Sequence, residues 1–463
     1  MRKGETDWEA ALQKPLLSLE EMAAMIGASP EALAAFEKAY ASVETTDSDN
    51  LFEVPARTAI GEDHTRVAGN LYTKIVEDLV SQTDIWHYRQ GEGASIVSGQ
   101  FLGQSDDITP EEIKALPEPE RPQLTGNRMR VDIKGNTAAG LLFLYKKWKE
   151  TGREMFYNCF RQGLDMMDLD PLSYVMLGKN PASMGHWLPY LAEAADRHAF
   201  FRIPETTLVR VPLPLLQLSR LDFATLTPAT KAIVDQWAEA AFGLDPARDY
   251  FIKTGIFSSK FDFRNAHVPA GKEIGDLGEY LLYIAFQASQ MATPLNNRSI
   301  YGAATTNEWC VREYITPPDG TMAIYHGLPL RTEYRVFADC DTDTVLGIHN
   351  YWDPEVMRKR FAENRSIDDI HDAVTFRAEE KKLAQRYERN KDLVCSRIRE
   401  LLPDLALHGQ WSMDVMQSGD VFWLIDMAPA ERSAYYKETV PEALRRPMEE
   451  HWLPEQEDLK LPE

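Results

Sequence analysis

Two segments of the chain carry basic side chains of the kind that grip phosphate. In Tyr250-Phe251-Ile252-Lys253-Thr254-Gly255 a lysine ends an apolar strand, and Ser258, Ser259 and Lys260 occupy the turn that follows. Arg331-Thr332-Glu333-Tyr334-Arg335-Val336-Phe337 alternates with period two, so Arg331, Glu333 and Arg335 share one face. A guanidinium there offers a planar fork that suits bidentate contact with phosphate better than an ammonium does. A solvated strand end and a surface charge ladder give the same spacing, so the chemistry depends on what stands near these segments.

Acidic groups come later in the chain. Trp411 to Met416 and Val421 to Asp426 are apolar strands, each carrying one aspartate, Asp414 and Asp426, around Ser418-Gly419-Asp420. A three-residue loop over 418–420 pairs 414 with 424 and makes the aspartates same-face diagonal neighbours, with Cβ atoms roughly 7 Å apart. A two-residue loop shifts the register and sends them to opposite faces. Carboxylates so placed repel unless a cation or a basic side chain lies between them, and Mg²⁺ shared with nucleotide phosphates is the natural occupant. The strand Trp309 to Thr316 stops at Pro317-Pro318, leaving backbone groups unpaired where the chain leaves the sheet, an exit that can pair with the edge of a purine. Its other reading is a core strand with Arg312 and Glu313 at the rim.

These groups need a scaffold, and 463 residues with 44% hydrophobic composition provide two or three domains' worth of core. Fifty basic against seventy-two acidic residues leave a net charge of −22, which argues against a duplex-DNA binder or a polybasic membrane-surface protein. No apolar run approaches the roughly 18–20 residues of a bilayer span, and the first residues lack a secretory h-region, so a cytoplasmic protein is expected. Cys159, Cys310, Cys340 and Cys395 are too scattered for a disulfide framework or a zinc site.

Ser18 to Tyr40 reads as an αα-hairpin, 104–123 as a loop, Met129 to Ile133 as a strand and Thr137 to Asp165 as two helices broken near Thr151-Gly152. Thr227 and Pro228 open an amphipathic helix running to Phe242. From 249 onward strands are expected at 249–257, 262–268, 309–316, 331–339, 344–349, 410–416 and 421–427, with helices at 274–291 and within 354–402. The fold class is therefore α+β with a mostly antiparallel sheet, preceded by a mainly helical region over 1–180. Arg358, Lys359, Arg360, Lys381, Lys382, Arg386 and Arg389 alternate with acids and read as a solvated helix face rather than an RNA groove; a tRNA- or RNA-linked substrate is the reading that would use them.

In order, these pieces resemble the ATP-grasp superfamily, and within it the cell division cycle protein 123 family. The likeness runs over about 185–435, through Phe251-Ile252-Lys253 with Ser258 to Asp262, Val311 to Tyr314, Glu333 to Phe337 with Gly347-Ile348, and Asp414 with Trp423 to Asp426. The resemblance implies a pre-ATP-grasp subdomain at 181–248, an N-subdomain and hinge at 249–316, a C-subdomain with the acidic hairpin at 317–440, and a tail at 441–463. It implies that Lys253 and Lys260 contact phosphates, that Glu313, Tyr314 and Ile315 hold adenine mainly through backbone groups, and that Arg312 and Glu333 belong to the same nucleotide site. Arg335 meets the γ-phosphate, and Asp414 and Asp426 bind Mg²⁺. The implied activity is ATP-dependent carboxylate–amine ligation through an acyl phosphate, with Arg335 and Lys253 catalytic. The alternative is an ATP-binding assembly factor or chaperone for a protein partner. The family pattern ends acid, one residue, Asn, where this chain reads Asp426-Met427-Ala428; alanine ligates no metal, so either Glu431 or Ser433 substitutes or the second metal is absent and catalysis is weakened.

Overall fold

The computed structural model describes residues 79–97, 147–166, 176–292, 304–363 and 367–448, together with 75–77 and a few positions between 115 and 174. The expected hairpin at 18–40, the strand at 129–133 and most of the loop at 104–123 lie outside the described residues. Two sheets organise the rest. The first consists of β1 (Asp84–Arg89), β2 (Gly93–Val97), β4 (Thr206–Arg210), β5 (Tyr250–Thr254), β6 (His267–Val268) and β7 (Glu308–Glu313). The strand order is β2-β1-β4-β7-β5-β6, antiparallel throughout.

The second sheet has the order β11-β10-β12-β13-β3, from β3 (Phe201–Arg202), β10 (Thr332–Asp339), β11 (Thr344–Asn350), β12 (Gln410–Ser418) and β13 (Val421–Pro429). Only β3 against β13 is parallel. A two-stranded ribbon, β8 (Ala323–Ile324) with β9 (Leu328–Pro329), lies between them in sequence. The structure is thus α+β with mostly antiparallel sheets, as the pattern of short strands and intervening helices requires. Two elements depart from the sequence reading: the strand expected at 262–268 is a 3-10 helix, Lys260–Asn265, followed only by the short β6, and β1 and β2 form a hairpin inside the region read as mainly helical. Gly91 and Gly93 turn it at φ of 86° and 83°, and it extends the first sheet through β4.

Residues 147–151 are helical up to Gly152, whose φ of 62° separates them from α1 (Glu154–Met166). After α2 (Met184–Arg197), α3 (Pro228–Phe242) begins where Thr227 accepts a hydrogen bond from the Thr230 amide and ends at Gly243 in the left-handed region. It packs on α4 (Leu277–Ala292) so closely that a Cβ at Gly278 would lie 2.5 Å from the Val234 carbonyl oxygen.

The first sheet buries Tyr250, Ile252, Trp309 and Val311 against these helices, with the Trp237 and Trp309 rings edge-on at 5.6 Å. The second sheet buries Tyr334, Val336, Met413, Val415 and Leu424 against α2 and the long helix α6 (Ile367–Leu401), which follows α5 (Pro354–Glu363). Helix α6 carries internal ion pairs, Lys382–Glu379 at 3.1 Å and Lys391–Glu388 at 2.6 Å, and its Glu380 meets Arg358 of α5 at 3.5 Å. All four cysteines are free. Among the described residues no helix is long and apolar enough to cross a membrane.

Candidate functional site

Strand alternation decides which side chains leave the core. On β5 and β7, Ile252, Trp309 and Val311 face the helices, so Phe251, Lys253, Cys310 and Arg312 face the second sheet. On β10 and β12, Tyr334, Val336, Met413 and Val415 face the other core, so Glu333, Arg335, Asp414 and Met416 turn toward the first sheet. Between the two faces runs a cleft that opens to solvent, with about 870 Å³ of space outside the protein atoms, open solvent included. Lys253, Lys260, Arg312, Glu313, Tyr314, Ile315, Glu333, Asp414 and Asp426 line it. Arg335 does not line it; it stands behind Asp414.

The hairpin carrying the aspartates is built differently from the expectation. Its loop has two residues, Gly419 and Asp420, with Ser418 opposite Val421 and Gly419 at φ 61°. That register alone would send Asp426 to the face opposite Asp414. A β-bulge between 414 and 415 corrects it: Val415 pairs with Leu424, but Asp414 pairs with Asp426, leaving Ile425 as the extra residue. The two carboxylates are therefore direct cross-strand partners rather than diagonal ones. The bulge frees the Ile425 carbonyl, and Arg312 of the other sheet donates to it at 2.6 Å while its Nε donates to Thr206 Oγ1 at 3.0 Å.

Each aspartate is neutralised by a basic side chain. Arg335 Nε and Nη2 donate to Asp414 Oδ1 and Oδ2 at 2.8 and 2.6 Å, and Lys253 Nζ reaches Asp426 Oδ1 at 3.1 Å. Lys253 is buried, whereas Asp426 is 41% exposed. Lys260 donates to the hydroxyl of Tyr351, and its Nζ lies 4.3 Å from that ring's centroid; the Arg335 guanidinium lies 4.8 Å from the same ring.

Burial pushes the Glu333 carboxyl up to about 7 against the opposing pull of Lys260, and Trp352 Nε1 donates to it at 3.2 Å. Burial also draws Lys260, Arg312 and Arg331 below their ordinary values. For Arg335 burial acts the same way, but the Asp414 charge and hydrogen bonds outweigh it and hold the guanidinium above its ordinary value.

The other end of the cleft carries the apolar side chains Phe251, Phe263, Leu328, Pro329 and Met416, with the charged Arg331 and Glu333 beside Met416. It closes on the exit of β7, where Tyr314 stacks on His267 at 3.9 Å. The Glu313 and Tyr314 amides donate to the Glu205 and Asp249 carbonyls, and Arg331 donates to the Ile315 carbonyl. Arg331 Nε and Arg312 Nη2 are buried with no protein partner.

Sequence reasoning did not include Arg331 or Tyr351 among the site residues. The shared face of 331, 333 and 335 contained the signal for Arg331, whereas Tyr351 lies beyond the end of β11 with no periodicity to place it. Neither substitute for the missing asparagine lines the cleft: Ser433 Oγ is engaged by Ser412 Oγ at 2.6 Å and by the Pro429 carbonyl. Among the described residues no three His, Cys, Asp or Glu side chains gather as a metal site, so the carboxylate pair stands as a pair.

No protein-family model matches the chain, and no curated protein matches it. Solved structures similar to it include two of Cdc123. Cdc123 from Schizosaccharomyces pombe aligns over 60% of this chain and 96% of that one at 12% identity, with a TM-score of 0.33. C-terminally truncated Cdc123 from the same organism aligns over 61% and 96% at 11% identity, with a TM-score of 0.32. Likeness at that level transfers no residue roles.

Proposed function

We propose that the cleft binds ATP together with Mg²⁺. The observation that carries this reading is the polarity of a single cleft: Lys253, Lys260, Asp414 and Asp426 gather at one end, and Phe251, Phe263 and Met416 line the other, which ends on Glu313 to Ile315. A purine would lie against the wall made by Met416 and the stacked rings of Phe251 and Phe263, with backbone groups from Ile315 onward at its edge, since the amides of Glu313 and Tyr314 are already used. Lys253 and Lys260 neutralise phosphates, and the two unpaired guanidinium N–H groups of Arg312 and Arg331 supply donors that the protein leaves free. Two cross-strand carboxylates suit Mg²⁺, a hard cation that is commonly held by one or two carboxylates plus phosphate oxygens and water. Bound there, the ion neutralises phosphate charge.

Two uses of the nucleotide follow. Ligation needs ATP to phosphorylate a carboxylate and an amine to displace the phosphate, with Arg335 stabilising the transferred group. Binding without ligation, in service of a protein partner as an assembly factor or chaperone, needs only the cleft. The site favours the second use, because Ala428 contributes no ligand and neither Glu431 nor Ser433 reaches the cleft to replace it. A thermal-shift titration with ATP and Mg²⁺ tests the assignment: wild type is expected to be stabilised, and Lys253→Ala and Asp426→Ala to lose most of the shift. Equal shifts in all three would overturn it. ADP release that depends on an added carboxylate and amine would instead establish ligation.

A further inference from the structure

Four side chains form one row across the second sheet: His349 on β11, Arg335 on β10, Asp414 on β12 and Asp426 on β13, each in register with the next. Lys253 faces the end of the row from the first sheet. Within this row both carboxylates already hold cations. The Arg335–Asp414 pair is bidentate, with side chains only 13% and 8% exposed. Resting on the nucleotide reading above, we infer that the metal and the triphosphate bind as coupled partners by exchanging these ion pairs: Arg335 and Lys253 pass from the aspartates to phosphate, while Asp414 and Asp426 pass to Mg²⁺.

The charges dictate the coupling. Mg²⁺ alone would have to strip two buried cations from their carboxylates and leave them unpaired beside a dication. A triphosphate alone would meet two cations already satisfied, with two carboxylates next to its own negative charge. Arriving together, each ligand supplies the partner that the other displaces, and no buried charge is left over. Arg335 starts behind Asp414, outside the cleft lining, so its half of the exchange carries the guanidinium past the Asp414 side chain, away from the Tyr351 ring and from His349, which Thr439 holds at 3.1 Å. The remaining charged groups nearby, Lys260 and Glu333, keep their own contacts with Tyr351 and Trp352.

Calorimetric titration of the full chain with Mg²⁺ alone, with ATP in EDTA and with ATP plus Mg²⁺ tests the exchange. Wild type is expected to show no saturable Mg²⁺ binding and weak metal-free ATP binding. Mg²⁺ should tighten ATP by about 5–150-fold, the usual span of coupling between sites. The distinguishing result comes from Asp414→Asn. Freed of its carboxylate, Arg335 becomes available to phosphate, so this variant should bind metal-free ATP more tightly than wild type and lose most of the gain from Mg²⁺. Asp426→Asn, at the more exposed pair, makes the same comparison through Lys253 if the first variant does not fold. ATP binding that ignores Mg²⁺ in wild type, or variants that weaken ATP equally with and without metal, would overturn the exchange and leave the nucleotide assignment standing. A chain that binds no ATP under any of these conditions would overturn the assignment and the exchange with it.

Discussion

Replacing Glu333 with glutamine should make the protein more stable above neutral pH. Glu333 is buried in the cleft wall, and burial raises its carboxyl from 4.5 to about 7 in the folded chain. Between those values the folded state holds a proton that the unfolded state has released. Stability therefore falls as pH rises through that window and stays lowered above it. At about 1.4 kcal/mol per pKa unit the loss reaches about 3 kcal/mol. The glutamine side chain still accepts the Trp352 Nε1 hydrogen bond and cannot ionise. The variant and the wild type should thus be nearly equal in urea unfolding at pH 5, with the variant ahead by about 3 kcal/mol at pH 8. Asp235, also raised to about 7 by burial, contributes a fall of the same sign in both proteins and cancels from the difference. An equal fall between pH 5 and 8 in both proteins would refute the reasoning.

Arg312→Met fills much of the same volume but abandons the Ile425 carbonyl on the bulge. Unfolding experiments should show a loss of about 1–3 kcal/mol, accompanied by weaker ATP–Mg²⁺ binding, because the bulge sets the direction of Asp426. Gly278→Ala pushes a methyl group into the backbone of α3 and should cost about 1–3 kcal/mol by the same assay, with ATP–Mg²⁺ affinity unchanged in the folded protein.

Much of this architecture was legible in the residues. Thr227-Pro228 marks the start of α3 because a side-chain acceptor and a missing N–H both suit a helix N-terminus. Period two assigned Glu333 and Arg335 to the same face of β10, and the double proline ended β7 within a few residues of its observed close at Glu313. Charge repulsion called for a cation or a basic side chain at the aspartates, with Mg²⁺ as the natural occupant; in the structure Arg335 pairs with Asp414 and Lys253 with Asp426.

The bulge was not legible. Gly419-Asp420 makes a two-residue turn, and only the tertiary grip of Arg312 on the Ile425 carbonyl marks where the ladder gains its extra residue. The hairpin β1–β2 escaped for a related reason. Asp84–Arg89 lacks clean alternation, and its pairing partner β4 lies far along the chain, at Thr206–Arg210. Tyr351 owes its position to the end of β11, whose direction only the assembled sheet sets.

The central claim is that one cleft, between the two sheets, takes a nucleoside triphosphate with its metal. A crystal structure with a nonhydrolysable ATP analogue and Mg²⁺ tests it most directly. The account predicts the base on the wall of Phe251, Phe263 and Met416, the phosphates against Lys253 and Lys260, and the ion between Asp414 and Asp426. An empty cleft at saturating analogue, or an analogue bound elsewhere on the molecule, would contradict it.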